Sequence, residues 1–175
     1  IEAGLKYQSG GVRFYATGFF AETSENNVEI APLLITSTDY EAYGVELEGS
    51  YSVGGFSISA GGTWTDSEIV RSQTAVYQGT AEYEHDFFTL GVNAIGTTES
   101  FTQDSNQLVL PSYTQVNAFL AVRPLDNLEV SLNANNLFNE FGYTEAEEGS
   151  IPGNGIVRAR SIAGRTVSAS VRVEF

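Results

Sequence analysis

Along most of this chain apolar and polar residues alternate one for one. In the last ten residues, TVSASVRVEF (166–175), Val167, Ala169, Val171, Val173 and Phe175 alternate with Thr166, Ser168, Ser170, Arg172 and Glu174. A side-chain period of two is the mark of a β-strand with one apolar and one polar face. The same reading predicts eight further strands: IEAGLKYQ (1–8), VRFYATGFF (12–20), YGVELEGSY (43–51), FSISAGGTWT (56–65), YQGTAEYE (77–84), TLGVNAIGT (89–97), TQVNAFLAV (114–122) and LEVSLNA (128–134). The split is less clean in TQVNAFLAV, whose polar face carries Phe119 and Ala121, and Ile95 falls off pattern. No segment has a helical period, so the expected fold is all-β, with nine strands in antiparallel succession.

The connections alternate as regularly as the residues do. SGG (9–11), VGG (53–55), HDFF (85–88) and PLDN (124–127) have the Gly, Pro, Asp and Asn chemistry of tight turns. Between them lie long segments, 22–42, 66–76, 99–112 and 138–164, expected to be loops. An up-and-down sheet with one rim of short turns and one of long loops is the layout of transmembrane barrels, whose periplasmic turns are short and extracellular loops long.

A soluble antiparallel sandwich is the alternative that alternation alone leaves open. Ionisable residues on the polar faces (Glu2, Lys6, Arg13, Glu46, Glu48, Glu82, Glu84, Glu129, Arg172, Glu174) suit a solvated surface or a wet lumen equally. The aromatics discriminate. On the apolar face Tyr7, Phe14, Tyr51, Phe56, Tyr83 and Phe175 sit near the short-turn rim, and Phe20, Tyr43, Trp64 and Tyr77 near the long-loop rim, with aliphatic residues and glycine between. Two aromatic girdles around an aliphatic band suit a bilayer, where amphipathic rings settle at headgroup level. Strands of about nine to eleven residues also match the hydrocarbon thickness at a barrel tilt. The expectation is therefore an antiparallel up-and-down transmembrane β-barrel, with the apolar side of TVSASVRVEF facing lipid.

Composition narrows the chemistry. Eight Lys plus Arg against 22 Asp plus Glu leave a net charge of −14, a field that repels phosphates, so no nucleic-acid partner is expected. Cysteine is absent, which excludes disulfides and thiolate metal sites. The chain has no nucleophile–base pair, phosphate-cradling glycine loop or metal cluster in its pattern, so neither an enzyme nor a cofactor is expected. His85, the only histidine, reads as a solvated turn residue. TQDSNQ (102–107) is rich in oxygen ligands but lacks the spacing of a calcium loop. In the longest loop Tyr143, Glu145, Glu147, Glu148, Arg158 and Arg160 are candidate ligand-binding residues, since loops on rigid scaffolds carry recognition. Each also fits a solvated hairpin with internal ion pairs.

Four segments together, YGVELEGSY, FSISAGGTWTDSE, PSYTQVNAFLAVRPLDNLEVSLNANNLFNEFGY, and IPGN followed by AGRTVSASVRVEF, resemble the C-terminal part of TonB-dependent outer-membrane receptors. The specific pieces are Asn136-Leu137-Phe138 closing the penultimate strand, Tyr143 soon after, Gly164-Arg165 opening the last strand, and the terminal Phe175. Family members often have Asp where this chain has Asn139, and Pro where it has Ala163. The resemblance spans residues 1–175 and implies an active transporter in the outer membrane of a Gram-negative cell, importing a scarce ligand such as a ferric siderophore. It implies a plug domain and a TonB-engaging segment that are not within these residues, and it makes Phe175 the assembly signal. A passive porin-like channel and a soluble β-sandwich binding module are the other readings. Parity adds one expectation. With Phe175 at the periplasm, the first of nine strands starts at the extracellular rim, so the chain is expected to be a barrel fragment, incomplete on its own. Its open edges would pair with the remaining strands or with another chain.

Overall fold

A computed structural model describes residues 1–30, 33–67, 74–102, 106–146 and 151–174. The strands are β1 (Glu2–Ser9), β2 (Val12–Ile30), β3 (Leu33–Val53), β4 (Phe56–Ser67), β5 (Thr74–His85), β6 (Phe88–Thr97), β7 (Ser100–Phe101), β8 (Val109–Leu110), β9 (Tyr113–Leu125), β10 (Leu128–Asn135), β11 (Tyr143–Ala146), β12 (Ala159–Ser161) and β13 (Thr166–Val173). Nine of them form one antiparallel sheet in the order β1-β2-β3-β4-β5-β6-β9-β10-β13. These are the nine segments predicted from the alternation. The short pairs β7–β8 and β11–β12 lie inside the two C-terminal loops. Every neighbour in the main sheet is also a neighbour in the sequence of long strands, so the topology is up-and-down. The sheet is open, with β1 and β13 as its edges.

Register carries the faces across the whole sheet. Tyr7, Phe14, Gly49, Ala60, Gly79, Ala94 and Val116 form one row from β1 to β9. The neighbouring row on the opposite face is Gln8, Arg13, Ser50, Ser59, Thr80, Asn93 and Asn117. A slip of one residue between any two strands would scramble these rows, so the alternation itself resists it. Ile95, off pattern in the sequence, lies in register with Gln78 and Gln115 on the polar face.

The tight turns are tighter than expected. Ser9, Val53, His85, Phe88, Pro124 and Leu125 all belong to strands, which leaves the two-residue turns Gly10-Gly11, Gly54-Gly55, Asp86-Phe87 and Asp126-Asn127. Gly10, Gly11 and Gly54 have φ of 55°, 84° and 55°, the positive values that hairpin turns demand and glycine adopts without steric penalty. Pro124 is accommodated by a bulge, because the register of β9 with β10 shifts between Leu128 and Val130. A residue without an N–H is tolerated there. His85 is corrected from a turn residue to the last residue of β5, where its ring stacks on Phe88 at 5.3 Å.

The larger correction concerns residues 22–42. The pairing of β2 with β3 runs on without a break from Val12↔Tyr51 to Ile30↔Leu33, so this segment is a continued hairpin, with residues 31–32 outside the description. Thr, Val, Ile and Tyr supply β-propensity there, and the interspersed acids mask it in a hydropathy reading. The 66–76 connection is likewise partly strand, through Ser67 and from Thr74.

No hydrophobic side chain is buried among the described residues. Leu47, Val92, Leu120 and Leu132 are 48%, 41%, 39% and 49% exposed although they lie mid-strand. The sheet is a single layer, and no second sheet faces it as a sandwich would require. The apolar face therefore makes no core within the described chain.

Candidate functional site

The polar face is built on side-chain amides. Asn93 of β6 donates through Nδ2 to the Gly79 carbonyl and to Thr80 Oγ1 on β5, both at 3.1 Å. Asn117 of β9 donates to Asn93 Oδ1 at 3.2 Å, and its own Oδ1 accepts from Gln115 Nε2 and from the Asn136 backbone N–H, each at 2.9 Å. A continuous chain of hydrogen bonds thus links three strands, β5, β6 and β9, to the residue that follows β10. Asn93 and Asn117 are direct register partners, each in the tripeptide Val-Asn-Ala, and that repeat is the signal from which sequence reading could have paired them.

Nearer the short turns, Arg123 bonds Glu129 at 3.1 Å and Thr89 at 3.2 Å. Glu129 faces Arg172 across β10–β13, and Arg172 meets Glu174 at 2.9 Å. The acidic positions expected on this face, Glu46, Glu48, Glu82 and Glu84, lie on β3 and β5, and Lys6 stands 5.8 Å from the centre of the Tyr15 ring. The face is polar and of mixed charge. It can hydrogen-bond to water or to a polar occupant, and among the described residues no cluster of three or more His, Asp or Glu is disposed to hold a metal ion.

Where the polar face carries rings, glycines receive them. A Cβ at Gly44 would lie 2.5 Å from the Phe19 ring, and one at Gly91 would lie 2.4 Å from that of Phe119. Both are cross-strand pairs, so the aromatic covers backbone that a side chain would otherwise shield. This explains the unclean split of the Phe119 strand.

On the apolar face the rings lie near the two ends of the strands. Tyr7, Phe14, Tyr51, Phe56 and Tyr83 are exposed near the two-residue turns. Tyr43 and Tyr77 are exposed at the opposite side, where Phe20 and Trp64 are half-buried. Tyr43 donates to Asp66 at 3.0 Å and packs edge-on against Trp64 at 6.0 Å. Tyr77 lies over Gly96 and pairs its hydroxyl with Thr114 at 2.6 Å. Phe175 lies outside the described residues.

Glu145 and Arg160 are register partners in the β11–β12 hairpin and form an ion pair at 3.0 Å, both well exposed. Tyr143 opens β11 and stands edge-on to Phe141 at 5.0 Å. Arg158 directly precedes β12. Glu147 and Glu148 lie outside the described residues, as do residues 103–105 of TQDSNQ.

The base of this loop turns on a residue that sequence reading marked only as part of a motif. Asn136, in the left-handed region at φ 49°, is 1% exposed. Its Nδ2 donates to the carbonyls of Glu140 at 2.8 Å and Ala163 at 2.9 Å, and its Oδ1 accepts the Glu140 N–H at 2.7 Å. Asn139, also left-handed at φ 55°, accepts the Arg165 N–H on Oδ1 at 3.0 Å. Gly142 is buried against Tyr113, so closely that a Cβ would meet its ring at 2.4 Å.

Comparison with known proteins gives a consistent frame. The family model described as "TonB dependent receptor-like, beta-barrel" matches residues 1–137. No curated protein matches the sequence. Among solved structures, the ferric yersiniabactin uptake receptor FyuA from Yersinia pestis superposes with a TM-score of 0.81 at 19% identity, over 99% of this chain and 29% of its own. The siderophore receptor PiuA from Acinetobacter baumannii gives 0.77 at 20%, over 97% and 27%. The pyoverdine receptor FpvA from Pseudomonas aeruginosa gives 0.75 at 19%, over 99% and 29%. The chain thus spans less than a third of each of these proteins.

Proposed function

This chain belongs to the TonB-dependent receptor-like β-barrel family, and from that premise we propose that residues 1–175 form part of the barrel wall of an active transporter in the outer membrane of a Gram-negative cell. The observation that carries the reading is the uncovered apolar face. Nine strands present their aliphatic side to the surroundings with no hydrophobic core behind it. Apolar surface on this scale is not stable in water, whereas hydrocarbon accepts it, provided every backbone group is paired within the sheet. The exposed tyrosines and phenylalanines near both rims are then headgroup-level girdles.

In this reading the protein imports a scarce ligand such as a ferric siderophore. The siderophore receptors among its structural relatives support that choice. Tyr143, Glu145, Arg158 and Arg160 belong to the extracellular vestibule, where the ligand first binds. The wall itself does no chemistry and needs no cofactor. Energy comes from the TonB system through parts of the receptor outside residues 1–175, and β1 and β13 pair with the remaining strands of the barrel or another chain.

Two measurements on the full-length protein test this. A spin label at Val92 should be accessible to oxygen dissolved in lipid, and one at Asn93 should not. Uptake of ferric siderophore should require both this protein and TonB. Water-like accessibility at Val92 would overturn the membrane placement, and uptake that persists without TonB would make the protein a passive channel.

A further inference from the structure

The last strand has little of its own with which to fix its place. Alternation forbids a slip of one residue, because every side chain would change face. A slip of two that brings Ser168 opposite Ser131 exchanges valine for alanine on one face and threonine or serine for serine along most of the other, and its one charged change is Ser170 in place of Arg172 opposite Glu129, so most of TVSASVRV is indifferent to it. The connection from β10 to β13 gives no guidance either, since it runs from Asn136 to Arg165 rather than through a two-residue turn.

We propose that Asn136 and Asn139 set the register of β13 against β10, acting as a clasp at the base of the loop. Asn136 holds Ala163 and Asn139 holds Arg165, at the two positions immediately around Gly164, before the strand begins. Arg165 returns a bond from Nη1 to the Leu137 carbonyl at 3.4 Å. A slip of two residues carries these groups by roughly 7 Å, beyond the reach of all three bonds. Asn136 is itself anchored independently of β13, through its N–H to Asn117 on β9 and its side chain to Glu140. The Asn136 half of the clasp is therefore held by β9 and by its own loop rather than by the strand it positions. Left-handed backbone at both asparagines turns their side chains to this task, and Asn tolerates that conformation where most residues do not. In the clasped register Ser131 and Ser170 stand opposite, their hydroxyls 2.7 Å apart.

Disulfide trapping in the full-length protein refolded into detergent reads the register directly, whatever the protein transports. The pair Ser131→Cys/Ser170→Cys reports the clasped register, and Ser131→Cys/Ser168→Cys reports the slipped one. With both asparagines intact only the first pair should close. Asn136→Gly and Asn139→Gly remove the side chains while keeping a residue at ease with positive φ, and each should raise the slipped product at least about tenfold, the change expected when one or two hydrogen bonds are lost. Asn139→Asp, which keeps an acceptor for Arg165, should restore the clasped pair alone. Asn139→Gly removes a single hydrogen bond at the surface, so it folds and decides the question even where Asn136→Gly gives too little material. Exclusive Ser131–Ser170 closure in the folded glycine variants would overturn the proposal, and would leave the reading of the protein as a transporter untouched.

Discussion

Residues 22–42 and 138–164 are the two longest connections at the same rim of the sheet, and they return the chain in opposite ways. The first simply continues the ladder: β2 and β3 stay paired from Glu22↔Glu41 to Ile30↔Leu33. Beyond Ala42↔Ser67, β3 has no other strand beside it among the described residues. The second abandons the ladder at Asn135, is stitched at its base by Asn136, Asn139 and Gly142, and forms its own small hairpin above. One is held by backbone bonds that any β-prone sequence supplies; the other by particular side chains. Tolerance to mutation should divide along the same line.

The sharpest break is expected at Asn136. Asn136→Ala leaves the Glu140 N–H and the Glu140 and Ala163 carbonyls without their partner, at a site 1% exposed. Urea unfolding of the refolded protein should show a loss of about 2–4 kcal/mol. Gly142→Ala comes next. Its Cβ would meet backbone-proximal atoms of Tyr113 rather than a mobile tip, so about 1–3 kcal/mol is expected from the same measurement. Glu145→Ala removes an exposed ion pair with Arg160 and should change stability by less than about 1 kcal/mol. At the far end, replacing residues 24–39 by a two-residue Asn-Gly turn takes away the projecting hairpin with its Ser24–Asp39 bond. Barrel stability should stay within about 0.5 kcal/mol of the parent. A large loss from the hairpin deletion, or none from Asn136→Ala, would erase the distinction between the two connections.

The legible parts of the fold were those written locally. The nine strands, their faces and the places of the tight turns each follow from a handful of adjacent residues, though each turn is shorter than the sequence suggested. The extension of β2 and β3 was missed because Glu22, Glu25, Glu29, Asp39 and Glu41 give the segment the composition of a loop, while the backbone pairs without regard to it. His85 read as a turn residue because its neighbours Asp86 and Phe87 are the turn. The candidate loop residues were legible as types, yet the pairing of Glu145 with Arg160 depended on the β11–β12 register. Arg123 was missed on the polar face because Pro124 beside it suggested a turn, and a bulge in β10–β9 keeps it in the strand.

From the sequence alone came the two-faced strands, their number and order, the unequal rims and the family. The faces and the turns are properties that a β-strand or a turn carries by itself, since the side-chain period of two is set within each segment, and the order and the family follow from several such segments taken together. Tertiary structure alone decided which polar groups meet. The Asn93–Asn117 pair and the Arg123–Glu129–Thr89 cluster join residues brought together by register, and the path of the loop brings Glu140 and Ala163 to Asn136. Register is a relation between strands rather than a property of either one. That is why the alternation of TVSASVRV reveals its faces without revealing its place, and why two asparagines outside the strand hold it there.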